Sequence, residues 1–173
     1  MDDPTQRVDS DDRIVIIKDG FPKARHHYLV LARADVESLA KVGREHVPLL
    51  EHMQAKAREL ATRIRDEATP NAPRPQFRIG YHAVPSMRRL HLHVVSQDFD
   101  SPCLKHKKHW HSFTSDFFME SSDVIALLKR EGRVTIDRDY YEGLLKRPLA
   151  CHRCGRATAT MPALKDHIRT HDR

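Results

Sequence analysis

The sequence predicts an α+β chain: a mostly antiparallel sheet with flanking helices, closed by a small metal-binding finger. Three observations carry that prediction. Apolar runs with strand character outnumber helical ones in the first 130 residues and cannot all be joined by helical crossovers. Between Arg44 and Glu67, the residues Val47, Leu50, Met53, Ala57, Leu60 and Ile64 recur every three or four positions, the spacing of an amphipathic helix. The C-terminal residues Cys151, Cys154, His167 and His171 follow a C-x2-C-x12-H-x3-H pattern.

Taken in order, residues 1–12, "MDDPTQRVDSDD", read as an acidic, flexible segment that does not resemble a secretory signal. "RIVIIKDGFPKARHHYLVLAR" reads as strand, Gly-Pro turn, strand. "ADVESLAKVG" reads as a short helix, Ala34 to Lys41, with Asp35 as its cap and Gly43 as its stop. After the long helix comes the Pro-rich loop "TPNAPRP", then the strands "QFRIGYHAV" and "LHLHVVSQ". "SSDVIALLKREG" is a second capped helix ending at Gly132, and a different module begins near Leu149. The boundaries drawn are 1–12, 13–147 for the main domain, and 148–173 for the finger.

Composition narrows the partners. The chain has 173 residues and a net charge of +6, and its first twelve residues carry −4, so the other 161 carry +10. That excess suggests a polyanion. No apolar run approaches the roughly 20 residues of a membrane span, so no membrane partner is expected. Three cysteines, two of them in C-x-x-C, favour a reduced compartment and metal binding over a disulfide framework.

His167 and His171 are four apart and share one helix face, while Cys151 and Cys154 sit on a turn that offers both thiolates to one ion. One structural zinc ion is the expected occupant. Leu149 and Leu164 fall where such a finger keeps its apolar core, but Thr158 stands where an aromatic is usual, so Met161 or the main domain must fill the gap. The base-reading positions would be about Thr160, Ala163 and Asp166, none suited to a guanine or an adenine edge. Lys165, Arg169, Arg153 and Arg156 suit phosphate contacts better, which predicts a finger that grips DNA without reading sequence, the alternative being a purely structural zinc module.

The stretch "PSMRRLHLHVVSQDFDSP" poses the chemical question. Strand alternation places Leu90, Leu92 and Val94 on one face and His91 and His93 on the other. Two neighbouring imidazoles on one face suit nucleotidyl transfer: one neutral as nucleophile, the other protonated to offset phosphoryl charge. The strand pattern by itself favours solvent-facing or metal-binding histidines; the surroundings change that weighting. Around it lie Ser86, His82, His27 and the run "KHKKHWH", a collection of hydroxyl, imidazole and ammonium donors suited to phosphate.

These residues resemble a known family. "LHLHVV" is similar to the H-φ-H-φ-H-φ-φ motif, with φ apolar, of the histidine-triad nucleotide hydrolases and transferases. The resemblance extends through "IVIIKDGFPKARHHYLVL", "GYHAVPSM" and "LHLHVVSQDFDSPCLKHKKHW" to the finger, from about Arg13 to His171, and points to the branch that hydrolyses adenylated DNA. It implies a histidine-triad catalytic domain joined to a C2H2-type finger. The implied substrate is a 5′-adenylated DNA end left by abortive ligation; the products are AMP and a restored 5′-phosphate. The implied roles are His91 as nucleophile through a covalent histidine–AMP, His93 as donor to the phosphoryl oxygens, and His27 as helper to the leaving group, with no catalytic metal. Asp19 would hold the ribose hydroxyls, and Ser86, Lys108 and His82 the phosphates; Ile14, Ile16 and Leu29 are candidates for the adenine pocket. Helix Ala34–Lys41 would contact the terminal base pair, and Trp110 would either stack on DNA or pack in the core. A monomeric nuclear repair enzyme acting on nicked DNA is the expected whole.

The departure is Arg89, which replaces the first triad histidine. That position is expected to orient the nucleophile through its main-chain carbonyl, which survives the substitution. The rival readings are a small-nucleotide hydrolase of the same fold and a non-catalytic zinc-finger protein. The finger and the +10 balance argue against the first; His27, Ser86, His91, His93 and Lys108 together argue against the second.

Overall fold

The computed structural model describes residues 6–69 and 73–172. Six antiparallel strands form one sheet in the order β1-β2-β3-β5-β4-β6: β1 is Arg7–Ser10, β2 Ile14–Lys18, β3 His27–Ala32, β4 Phe77–His82, β5 His91–Ser96 and β6 Phe118–Glu120. One face is closed by α1 (Val47–Asp66) and α3 (Ser121–Glu131). Leu50, Met53 and Ala57 of α1 and Val124 and Leu128 of α3 meet Ile14, Ile16, Val30, Leu92 and Val94 of the sheet, all of them buried. Each of these side chains larger than alanine contributes about 1.5–3 kcal/mol through burial. The Gly132 stop on α3 holds: its φ is 77°, the left-handed conformation that ends helices.

The opposite face carries α2 (Lys107–Thr114) and the finger, with α5 (Met161–Arg169) as the finger helix. Ala24, Val95, Phe99, Leu104, Trp110, Phe113 and Phe118 share one buried cluster with Leu149, Cys151, Met161, Leu164 and Ile168 of the finger. The finger is therefore no loose appendage. Met161 and the main domain together fill the space left by Thr158, and Trp110 belongs to this core, its Nε1–H donating to the Ala150 carbonyl at 3.1 Å.

Several expectations need correction. Arg7–Ser10 is not flexible; it pairs with β2, with Arg7 opposite Ile17 and Ser10 opposite Val15, while residues 1–5 lie outside the described ones. Ala34–Lys41 is not an α-helix. Only Leu39–Lys41 forms a 3₁₀ turn, preceded by Ser38 rather than Asp35 and with no side-chain cap, because the Leu90 amide takes the Val36 carbonyl that a helix would use. The connector holds a further helix, α4 (Arg138–Leu144), capped by Asp137 accepting from the Tyr140 amide. Neither α4, α2 nor β6 was legible as an element in the sequence.

Candidate active site and metal centre

The register of three strands assembles the site. His91 on β5 lies opposite Leu31 of β3, His93 lies opposite both Leu29 of β3 and Gly80 of β4, and His27 lies opposite Val95. Paired residues share a face, so His27, His91 and His93 project to the finger side, joined by His82 two residues beyond Gly80. Gly80 is required here: a Cβ would sit 2.4 Å from the Met119 carbonyl oxygen and 2.5 Å from the Phe118 ring.

Two backbone groups set the tautomers of the cluster. The Arg89 carbonyl oxygen lies 2.6 Å from His91 Nδ1 and can only accept, so Nδ1 carries a proton, and in the neutral ring Nε2 keeps the lone pair. The Lys23 amide donates to His27 Nδ1 at 3.1 Å, so the His27 proton is on Nε2. That Nε2–H donates to His93 Nδ1 at 3.0 Å, with an Asp19 carboxylate oxygen 3.5 Å away. His93 is left with its proton on Nε2, buried and without a hydrogen-bond partner among the described residues. His91 and His93 thus stand side by side, their ring centroids 5.0 Å apart.

Burial keeps His27, His82 and His93 neutral. It lowers the His27 pKa to about 4, with Lys23 and His91 adding to the effect and Asp19 opposing it. It lowers His82 to about 3, helped by His91, His27 and Lys23, and it places His93 well below the ordinary histidine value. His93 is therefore not the protonated imidazole expected from sequence: desolvation disfavours the charge, and a neutral Nε2–H is what it can offer an anionic oxygen. His82 packs its ring 4.6 Å from that of Phe113 and 4.3 Å from that of His93, a wall of the cluster more than a surface ligand.

Asp19, His27 and His93 bring ligand atoms within 4.8 Å of one another, close enough for a metal ion. The Lys23 amide argues against that use, because it places the proton on His27 Nε2, the atom a metal would need. Asp19 does sit beside His27 and accepts from the Phe21 amide at 2.8 Å. Pro85 lines a pocket with His82, Arg89, His91, Ser38 and Leu39, and the exposed Ser86 follows it in the chain. Lys108 is exposed on the first turn of α2. No hydrogen bond or ion pair engages the side chain of Ser86 or Lys108 among the described residues. Ile14 and Ile16 belong to the helix-covered core, not to the site. The half-buried Val15 and Ile17 pair with Leu31 and Leu29, so those four make the apolar floor beside the histidines.

At the finger, Cys154 Sγ lies 3.1 Å from His167 Nε2, Cys151 Sγ lies 3.4 Å from His171 Nε2, and the two imidazole nitrogens are 3.3 Å apart. Four donors at roughly 2.0–2.3 Å from a common centre have about these separations, so the residues fit one tetrahedral zinc ion. Lys165 and Arg169, expected on phosphates, are engaged internally. Lys165 donates to the Ser101 and Leu104 carbonyls, and Arg169 pairs with Asp100 and Asp166.

Comparison with known proteins agrees with this geometry. Residues 1–109 match the family model described as "Scavenger mRNA decapping enzyme C-term binding", and residues 114–173 match the C2HE / C2H2 / C2HC zinc-binding finger. Aprataxin of Danio rerio is 53% identical over 99% of this chain, and aprataxin of Gallus gallus 48% over 99%. The chain belongs to the aprataxin family of histidine-triad proteins. It spans about half the length of the curated relatives it matches, 51% and 52% of those two. Its backbone is similar to the crystal structure of the aprataxin ortholog Hnt3 in complex with DNA, at a TM-score of 0.77 and 29% identity, covering 95% of this chain and 85% of that one. The same ortholog from Schizosaccharomyces pombe gives 0.76 at 28% identity, covering 96% and 84%. The zinc finger of the aprataxin family is here completed by His171 as the fourth ligand.

Sequence reasoning missed Lys23. Its amide fixes the His27 tautomer, and its ammonium depresses the pKa of His27, His82 and His93. The signal was its place in "GFPKARHH", four residues before His27, within a segment the histidine-triad resemblance already covered. It also missed Phe113 on α2, whose ring lies 5.2 Å from that of His27 and 5.3 Å from that of His93.

Proposed function

We propose that this chain hydrolyses 5′-adenylated DNA ends, releasing AMP and restoring the 5′-phosphate. The observation that carries this reading is the tautomer chain, which leaves His91 Nε2 as a lone pair beside a His93 Nε2–H donor. His91 Nε2 attacks the AMP phosphorus. The bond to the DNA phosphate breaks, and that phosphate leaves with the electron pair, needing no proton. The imidazolium character of the resulting His91–AMP is stabilised by the Arg89 carbonyl at Nδ1. Water then attacks phosphorus, AMP departs, the electron pair returns to Nε2 and one proton goes to solvent.

Asp19, beside His27, would accept from ribose hydroxyls, and the exposed Ser86 and Lys108 would donate to phosphate. DNA binding without sequence preference is supported by the +10 charge of the chain beyond its first twelve residues and by the likeness to the ortholog solved with DNA. The chain acts as a monomer in the nucleus, where its substrate arises.

The test is a nicked duplex bearing a 5′-adenylated end, with release of AMP as the readout. Wild type should release AMP, and His91→Ala should not. If wild type is inert on that duplex but cleaves adenosine 5′-phosphoramidate, the fold reading survives and the DNA substrate is wrong.

A further inference from the structure

The finger's second role is at the histidines. The loop between β2 and β3 supplies Asp19 and Lys23 and runs into His27 at the start of β3, and it is held mainly by one segment, Ser96 to Leu104. The Arg25 amide donates to Asp98 at 3.0 Å, and its guanidinium reaches Asp100 at 3.0 Å. The His26 amide donates to Ser96 Oγ at 3.0 Å, and Ser101 Oγ donates to the Pro22 carbonyl at 2.6 Å. The finger holds the same segment from its far side. Arg169 donates to the other Asp100 oxygen at 3.1 and 3.2 Å, Lys165 donates to the Ser101 carbonyl at 2.7 Å, and His152 bonds the Gln97 carbonyl at 3.0 Å.

Phe99 marks the point of tension. It is the one non-glycine residue with positive φ among the described residues, at 48°, a conformation an aromatic residue keeps only when its surroundings impose it. Its ring is 1% exposed and wedged edge-on against Trp110 at 5.1 Å and His152 of the finger at 5.0 Å. Exposed ion pairs stabilise little. The flanking Asp98 and Asp100 are thus better suited to fixing position than to holding the fold together.

We propose that Asp100 is a positioning residue that couples the finger helix to the active-site loop, so that the finger sets the geometry of Lys23 and His27 as well as meeting DNA. One carboxylate takes a guanidinium from each side, and loss of either arm lets the loop relax. The Lys23 amide then drifts from His27 Nδ1, the His27 proton is no longer confined to Nε2, and His93 loses the partner that fixes its own donor. This rests on the hydrolase reading above.

The experiment compares wild type with Asp100→Asn, Asp100→Glu and Arg169→Ala, all zinc-loaded, on adenosine 5′-phosphoramidate, which is too small to engage the finger. Misplacement by an ångström costs up to about 100-fold, so kcat should fall about 10- to 100-fold in Asp100→Asn and Arg169→Ala. Melting temperature and zinc content should stay at the wild-type values, and Asp100→Glu should recover part of the loss. Imidazole ¹⁵N spectra give a second readout that needs no turnover: His27 should be a pure Nε2–H tautomer in wild type and a mixture in Asp100→Asn. Unchanged kcat with weakened binding to a nicked duplex would reduce the finger to a grip and overturn the coupling. So would losses that track melting temperature, or an unchanged His27 tautomer. If wild type cleaves neither substrate, the hydrolase reading falls, and the ¹⁵N spectra still decide the coupling.

Discussion

The carbonyl oxygen of Arg89 lies 2.6 Å from His91 Nδ1, two residues along the same strand approach. Nothing in that bond depends on what side chain position 89 carries. The Arg89 side chain is exposed at the pocket rim. Arg89→His and Arg89→Ala are therefore expected to turn over adenylated substrate within a few-fold of wild type. Steady-state kcat on the adenylated nick checks this. A loss of about 100-fold or more, the scale at which proton-transfer groups register, would mean that the side chain takes part.

The buried histidines fix a pH dependence of stability. The folded-state pKa values of His27, about 4, and His82, about 3, lie below the ordinary value of 6.5, and that of His93 lies below it as well. Between pH 6.5 and those values the unfolded chain binds more protons than the folded one, so stability is complete above that window and falls as pH falls through it. The loss is on the order of a few kcal/mol by pH 5. Asp11, brought down to about 2 by the Arg13 amide and His52 against a desolvation that raises it, loses its contribution only at lower pH and does not mask the trend. Urea denaturation from about pH 7.5 to pH 5 measures the slope, and His82→Phe should make it shallower. A flat profile would mean that these rings are not neutral and buried.

Legibility followed locality. The finger ligands, α1 and the faces of β5 could be read because each rests on short spacings: four ligands in one module, a period near 3.6, and an alternation of two. The helix α2 hid because its buried residues include His111 and Ser112, so that "KHKKHWHS" looks like a polar loop. In β2 both faces are apolar, which erased the alternation that would have told Val15 and Ile17 from Ile14 and Ile16. The importance of Lys23 lies in its amide, which no residue pattern advertises, and the Arg25–Asp100 pair joins positions 75 residues apart.

Trp110 reports on the finger from inside. It is the chain's one tryptophan, 1% exposed, hydrogen-bonded to Ala150 and packed with Leu164 and Met161 in a shared core. A finger without its metal loses the constraint that orders it. Chelation, or Cys151→Ser, should therefore shift Trp110 emission to the red and destabilise the main domain in one transition, by more than about 2 kcal/mol, as opening a large core contact does. An unchanged emission maximum on zinc removal would show that the two modules are independent.

Gly80 tests how tightly the site is built. It sits opposite His93 on one side and Glu120 on the other, and an added Cβ would meet the Met119 carbonyl and the Phe118 ring at 2.4 and 2.5 Å. Backbone oxygen cannot swing aside as a flexible side chain can, so β4 and β6 must move apart. Phe118 lies beneath His93, with ring centroids 6.3 Å apart, and the strand shift reaches the cluster through it. Gly80→Ala should destabilise the chain by about 1–3 kcal/mol, the ordinary cost of overpacking, and lower kcat more than it raises KM, because the histidines move relative to one another. Thermal unfolding and steady-state kinetics on the same preparation separate the two effects. Wild-type stability with wild-type kcat would show that the β4–β6 edge yields freely, and that the spacing of His82 and His93 is set elsewhere.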